Sequence, residues 1–122
     1  MVDGIRFLGQ GVAVLKECLI EGEMPKVYVI QDLGHLNFLP AESFGELISC
    51  IDGRVSHVGM PRAFSRLRHS LRHITADDWL IPTGHPALIA FGGHAMAKLT
   101  GVIRILCWDG QMNKYIPVEI KP

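Results

Sequence analysis

Along the 122 residues the spacing of apolar positions changes several times, and each change marks a new element. Leu8, Val12, Leu15 and Leu19 recur at intervals of three and four, with Lys16, Glu17 and Glu21 on other faces. That spacing predicts an amphipathic helix over about 8–20, weakened in its first turn by Gly9 and Gly11. Val27 to Gln31, VYVIQ, is rich in β-branched and aromatic residues and predicts a strand. Asp32 to Ser43 carries turn formers and a proline, and reads as a loop anchored by Leu36, Phe38 and Leu39. Glu46–Ile51 and Arg54–Val58 flank Asp52-Gly53, the signal for a two-residue type I′ hairpin.

From Pro61 to His73, Phe64, Leu67, Leu71 and Ile74 form one apolar stripe on a basic helix. Thr75–Asp78 is a loop, Trp79–Ile81 a short buried strand, and Pro86–Leu99 a nearly uncharged helix ended by Gly101. Val102–Trp108 and Tyr115–Ile120 form a terminal hairpin. The resulting order predicts a single compact α/β domain over 24–122. Its mixed sheet has a Rossmann-like βαβαβ centre, flanking hairpins and parallel strands joined by right-handed crossovers. Residues 1–23 read as an N-terminal helical extension, and Met24 as an alternative start.

Composition narrows the setting. A hydrophobic fraction of 48% supplies a core without metal or disulfide support. Lysine plus arginine equals aspartate plus glutamate at 12 each, so an anionic partner has to use a local patch. A charged fraction of only 20% favours burying further surface in a homo-oligomer. Cys18, Cys50 and Cys107 are far apart and flanked by apolar residues, as for buried thiols in a reducing cytosol. No run is long enough for a membrane span and no secretory signal is legible, so a cytoplasmic protein is expected.

Three features invite a chemical reading, each beside a plain one. The turn before the second helix offers the Thr83 hydroxyl, the Gly84 backbone and the His85 imidazole to a phosphate or carboxylate at a helix start. It lacks the glycine spacing of a dinucleotide fingerprint and the lysine of a P-loop, and turn geometry explains all of it except His85. Arg62, Arg66, Arg68 and Arg72 lie on the basic helix, after Arg54, with His57, His69 and His73 interleaved and no acidic residue from Gly53 to Ile74. Their guanidinium groups suit a nucleic-acid backbone, a nucleotide or an acidic protein; the plain reading pairs them with Glu42, Glu46, Asp77 and Asp78. Gly92-Gly93 inside the second helix costs helix stability, which close packing on the sheet, on a second copy or on a ligand would offset.

Other signals are weak. His69 and His73 are four apart without a visible third ligand, so no metal is expected, and His94 and Lys98 lack a catalytic partner. Asp77-Asp78 fits capping better than acid–base chemistry, and none of Ser43, Ser49, Ser56, Ser65 and Ser70 has a nucleophile-elbow context. No cofactor is implied and no catalytic residue is assigned.

The phrases VYVIQ, PAESFGEL, LRHITADDWLIPTGHPALIA and ILCWDGQMNKYIPVEI resemble those of short uncharacterised proteins of tailed bacteriophages and prophages, over about Met24 to Ile120. The resemblance implies a phage setting in a bacterial cytosol and supplies no mechanism. In that group the turn tends to read Gly-Asp-Pro, whereas here it is Gly84-His85-Pro86, exchanging a natural helix cap for a residue that caps poorly. The expectation is a non-enzymatic, self-associating binding protein acting on a host or phage macromolecule. The alternatives are a nucleotide- or phosphate-binding enzyme at Thr83-Gly84-His85 and a nucleic-acid backbone binder through helix 61–73.

Overall fold

A mixed sheet divides the molecule into two unequal layers of packing. The computed structural model describes residues 24–122, together with the backbone of Ile5–Phe7. The helix expected over 8–20 lies outside the described residues. The elements are β1 (Ile5–Phe7), β2 (Lys26–Asp32), a 3-10 helix (Leu39–Phe44), β3 (Glu46–Asp52), α1 (Met60–Ser70), β4 (Trp79–Ile81), α2 (Pro86–Thr100), β5 (Ile103–Asp109) and β6 (Lys114–Ile120). Five strands form the body of the sheet and β1 extends one edge, in the order β1-β6-β5-β4-β2-β3.

β2 pairs in parallel with both β3 and β4, and β4 with β5, while β6 runs antiparallel to β5 and to β1. The first connection carries the chain from β2 outward to β3, and the next two carry it back across β2 to β4 and β5. That reversal separates the covering layers. α1 and α2 pack with Tyr28, Ile30, Ile51 and Leu80 on one face, around Leu67, Leu71, Leu88 and Met96. The 3-10 helix packs on the other, against Val27, Val29, Trp79, Ile81 and Leu106.

Most of the predicted elements are present, within a few residues at their ends. The predicted stripe buries Leu67 within α1 and Leu71 and Ile74 in the turn that follows its end at Ser70, and Phe64 packs against the same cluster. α2 ends at Gly101, and β5 and β6 form the terminal hairpin.

The hairpin at Asp52-Gly53 is not formed. β3 spends its pairing on β2 in parallel, Val27 opposite Leu47 and Tyr28 opposite Ile48, and no strand follows over 54–58. Gly53 has φ +79, but Asp52 is not in the left-handed region, so the two consecutive positive φ angles of a type I′ turn are absent. Gly53 N–H donates to Asp32 O at 2.8 Å, turning the chain out of the sheet toward α1.

The Asp32–Ser43 segment also differs. Only Phe38 is a buried anchor; Leu36 and Leu39 are 50% and 62% exposed. Phe38, Ala41 and Phe44, three apart, form the buried side of the 3-10 helix, whose period of three the sequence reading did not consider.

Candidate functional site

The carboxyl ends of β2 and β4, where the connections diverge to opposite faces, meet at Gln31, a nearly buried amide at 3% exposure. Its Nε2 donates to Gly53 O at 2.8 Å and its Oε1 accepts from His85 N at 2.7 Å. The Thr83 hydroxyl donates to the Gln31 carbonyl oxygen at 2.9 Å. One residue thus ties the end of β2 to the segments that follow β3 and β4. Gly84 has φ +104, and a Cβ there would run into the Gln31 side chain, so both the turn and the close approach require glycine.

His85 caps α2. Its Nδ1 accepts from Ala87 N at 3.0 Å, and its carbonyl accepts from Leu88 N and Ile89 N. Histidine therefore performs the capping expected of an aspartate, through a neutral ring nitrogen; the expectation that it caps poorly is corrected. The N–H groups of Thr83, His85, Ala87 and Leu88 all have partners within the chain, and residue 86 is proline. An anion at this helix start would have to displace Gln31 or the His85 ring.

The arginines stand elsewhere. Arg54, Arg62, Arg66, Arg68 and Arg72 are all exposed. Arg68 lies over the Phe91 ring at 5.3 Å from its centroid, and Arg72 donates to His69 O at 2.6 Å. Among the described residues none of the five forms an ion pair with a carboxylate, so the pairing with Glu42, Glu46, Asp77 and Asp78 is not formed. Asp78 is buried and spent on the backbone, accepting from Lys26 N and Thr75 N at 2.8 Å each, which is the capping role expected of that pair. No hydrogen bond joins an arginine of α1 to the Thr83–His85 turn.

Arg104 is a different kind of arginine, and sequence pattern gave no warning of it. It is buried at 2% exposure and stacks over the Trp79 ring, 3.8 Å from its centroid. It also donates to Ala76 O at 2.7 Å and faces Glu119 across the hairpin at 3.8 Å. These contacts commit it to the core.

Gly92 packs α2 onto the sheet. A Cβ there would lie 2.8 Å from Ile30 Cδ1, whereas one at Gly93 would meet nothing within 4 Å. Close helix–sheet contact therefore accounts for the first glycine only. Among the described residues no group of three or more His, Cys, Asp or Glu could hold a metal ion.

On the face away from the helices a cleft of about 730 Å³ opens beside Thr83, over Ile81 and Leu106, with Trp108 and Tyr115 along one side. The two rings meet edge to face, centroids 5.0 Å apart. Burial raises the Cys107 thiol and the Tyr115 phenol above their ordinary values, so both stay neutral at physiological pH. The sequence reading missed this cleft because it is assembled from the ends of β4 and β5, the hairpin turn and the loop after β2. The one signal available was Trp108, an aromatic residue close to a turn.

Residues 25–122 match the family described as Phage Pam3 gp32-like protein, and the chain belongs to that family of phage proteins. No curated protein and no solved structure matches the chain. No helix among the described residues is long and apolar enough to cross a membrane.

Proposed function

We propose that this phage protein is a non-enzymatic binding protein that docks α1 on the phosphate backbone of a nucleic acid in the host cytosol. The observation that carries this is the state of its arginines. Arg54, Arg62 and Arg66 are exposed and make no ion pair among the described residues, on a stretch without acidic side chains. Arg62 and Arg66 are one helical turn apart, and guanidinium groups bind phosphate oxygens in pairs. Keeping such groups unneutralised in a chain of zero net charge favours an anionic partner.

The non-enzymatic part rests on the thiols and the turn. Burial pushes the Cys50 thiol up to about 12, opposing nucleophilic use, and His85 is engaged as a helix cap. Self-association belongs to the same reading. Gly93 leaves open space on α2, where the backbone of a second copy can approach closely. Light scattering on the eluting protein should then give a mass above 13.5 kDa.

The strand order β3-β2-β4-β5, with connections on opposite faces, supports a Rossmann-like reading of the centre. A phosphate-handling enzyme at Thr83-Gly84-His85 would use that feature. It has less support, because the donors it needs are engaged by Gln31 and by the cap.

Fluorescence polarisation with a labelled DNA duplex over a salt series tests the docking. Affinity should fall linearly with salt on logarithmic axes, and Arg62→Ala and Arg66→Ala should each lower the slope by about 1. Binding that ignores salt, or that both substitutions leave intact, would overturn the reading. Retained binding to polyglutamate without binding to duplex would replace the nucleic acid with an acidic protein.

A further inference from the structure

The cleft on the face opposite α1 and α2 is independent of the arginine face. Its volume of about 730 Å³ falls within the range of small-molecule sites, about 300–1,000 Å³. The floor is Ile81 and Leu106, both essentially buried, and Trp108 beside them is 49% exposed. A half-exposed indole next to an apolar floor offers a flat surface on which a ring can stack.

The polar groups around that surface are the amides of Asn37 and Asn113, the hydroxyls of Thr83 and Tyr115 and the Cys107 thiol, with the exposed His35 imidazole at the rim. The amide of Asn37 has its oxygen committed to Leu39 N at 3.1 Å, leaving the NH₂ to donate. Asn113, held at φ +53 in the hairpin turn, brings a second amide with both donor and acceptor. Thr83 Oγ1 donates to Gln31 O and keeps its lone pairs for a ligand. Its described lining contains no Lys, Arg, Asp or Glu, and His35, its one basic side chain, is exposed, so a charged ligand would lose its hydration with no buried counter-charge to offset the loss.

We infer that this cleft binds a small uncharged molecule with a flat aromatic ring and a hydrogen-bonding edge, the class of a free nucleobase or nucleoside. The ring stacks on Trp108 over Leu106, and the edge is read by Asn37, Asn113 and Thr83. Recognition by amides at the edge of a stacked ring favours donor and acceptor groups on the ligand over a bare hydrocarbon.

The chain has two tryptophans, and Trp79 is fully buried, so a ligand at the cleft should act on Trp108 emission. Titration of the full chain with adenosine should shift that emission saturably, and adenosine monophosphate should bind at least about tenfold more weakly. Trp108→Ala should remove the signal. Leu36→Glu, at a half-exposed position on the rim, should weaken binding measured by calorimetry while leaving the fold intact. Duplex binding through α1 should be unchanged by either substitution. No saturable response to adenosine, equal affinity for the monophosphate, or calorimetric binding unaffected by both substitutions would overturn the inference.

Discussion

The Gln31 side-chain oxygen accepts a hydrogen bond from the His85 backbone N–H at 2.7 Å, across 54 residues of sequence. Through it the end of β2 fixes the start of α2, while the other end of the same amide holds Gly53 after β3. An amide accepts through its oxygen and donates through its nitrogen, two atoms set apart, so one side chain serves an N–H and a carbonyl on different segments.

Gln31→Ala should therefore destabilise the fold by about 2–4 kcal/mol, since it strips partners from two partly buried backbone groups and opens space beside Gly84. Gln31→Glu separates the two bonds. A carboxylate still accepts from His85 N but repels the Gly53 carbonyl unless protonated, so this variant should regain stability as pH falls. Urea unfolding at pH 5 and pH 8 checks both; a wild-type midpoint for Gln31→Ala would show the junction to be incidental.

The two glycines of α2 should respond with opposite sign. Alanine at 93 meets open space and should stabilise by about 1 kcal/mol through helix propensity. Alanine at 92 collides with Ile30 Cδ1 at 2.8 Å in a fully buried setting and should cost about 1–3 kcal/mol before that propensity gain is returned. Adding Ile30→Val, which removes the colliding methyl, should recover part of the loss. A double-mutant cycle with zero coupling between the two positions would contradict this packing.

What was legible in the sequence follows from where the information sits. Phe64, Leu67, Leu71 and Ile74 announce α1 because helix burial repeats along the chain, and VYVIQ announces β2 by composition. Asp52-Gly53 misled because its local preference for a hairpin was outweighed by parallel pairing of β3 with a strand some twenty residues earlier. The candidate sites divide the same way. The exposed arginines could be read from a run of like charges, but whether carboxylates neutralise them depends on distances that only the fold sets. Gln31 stood in plain view at the end of VYVIQ, yet its importance comes from partners at 53 and 85. The cleft is still less local, its wall being built from the 35–40 loop and the β5–β6 turn.

His85 supports α2 only while Nδ1 carries a lone pair. His85→Asp should keep the cap, because a carboxylate accepts from the same N–H and also suits the helix dipole. His85→Ala should lose about 1 kcal/mol. Thermal unfolding of the three proteins at neutral pH should rank aspartate at or above histidine and alanine last. Alanine equal to histidine would mean that the Ala87 N–H is as well served by water.

Cys50 ties stability to alkaline pH. Burial raises its thiol from 9.0 to about 12, with an adjacent carboxylate at Asp52 adding to the rise and a hydrogen bond with Ser70 opposing it. The folded state thus holds the proton more tightly than the unfolded chain. Its contribution is fully present below about 9 and is lost as pH climbs toward about 12, at up to about 1.4 kcal/mol per pH unit. Tyr28, raised from 10.0 to about 12 chiefly by burial, steepens the same decline from about 10 upward. Denaturant midpoints measured from pH 8 to 11 should fall along this curve in the wild type. Cys50→Ala, offset by its own packing loss, should show a flatter profile, its remaining decline coming from Cys107, Tyr28 and Tyr115, whose protons burial also holds. A parallel profile in the variant would mean that Cys50 ionises as freely in the folded protein as in the unfolded one.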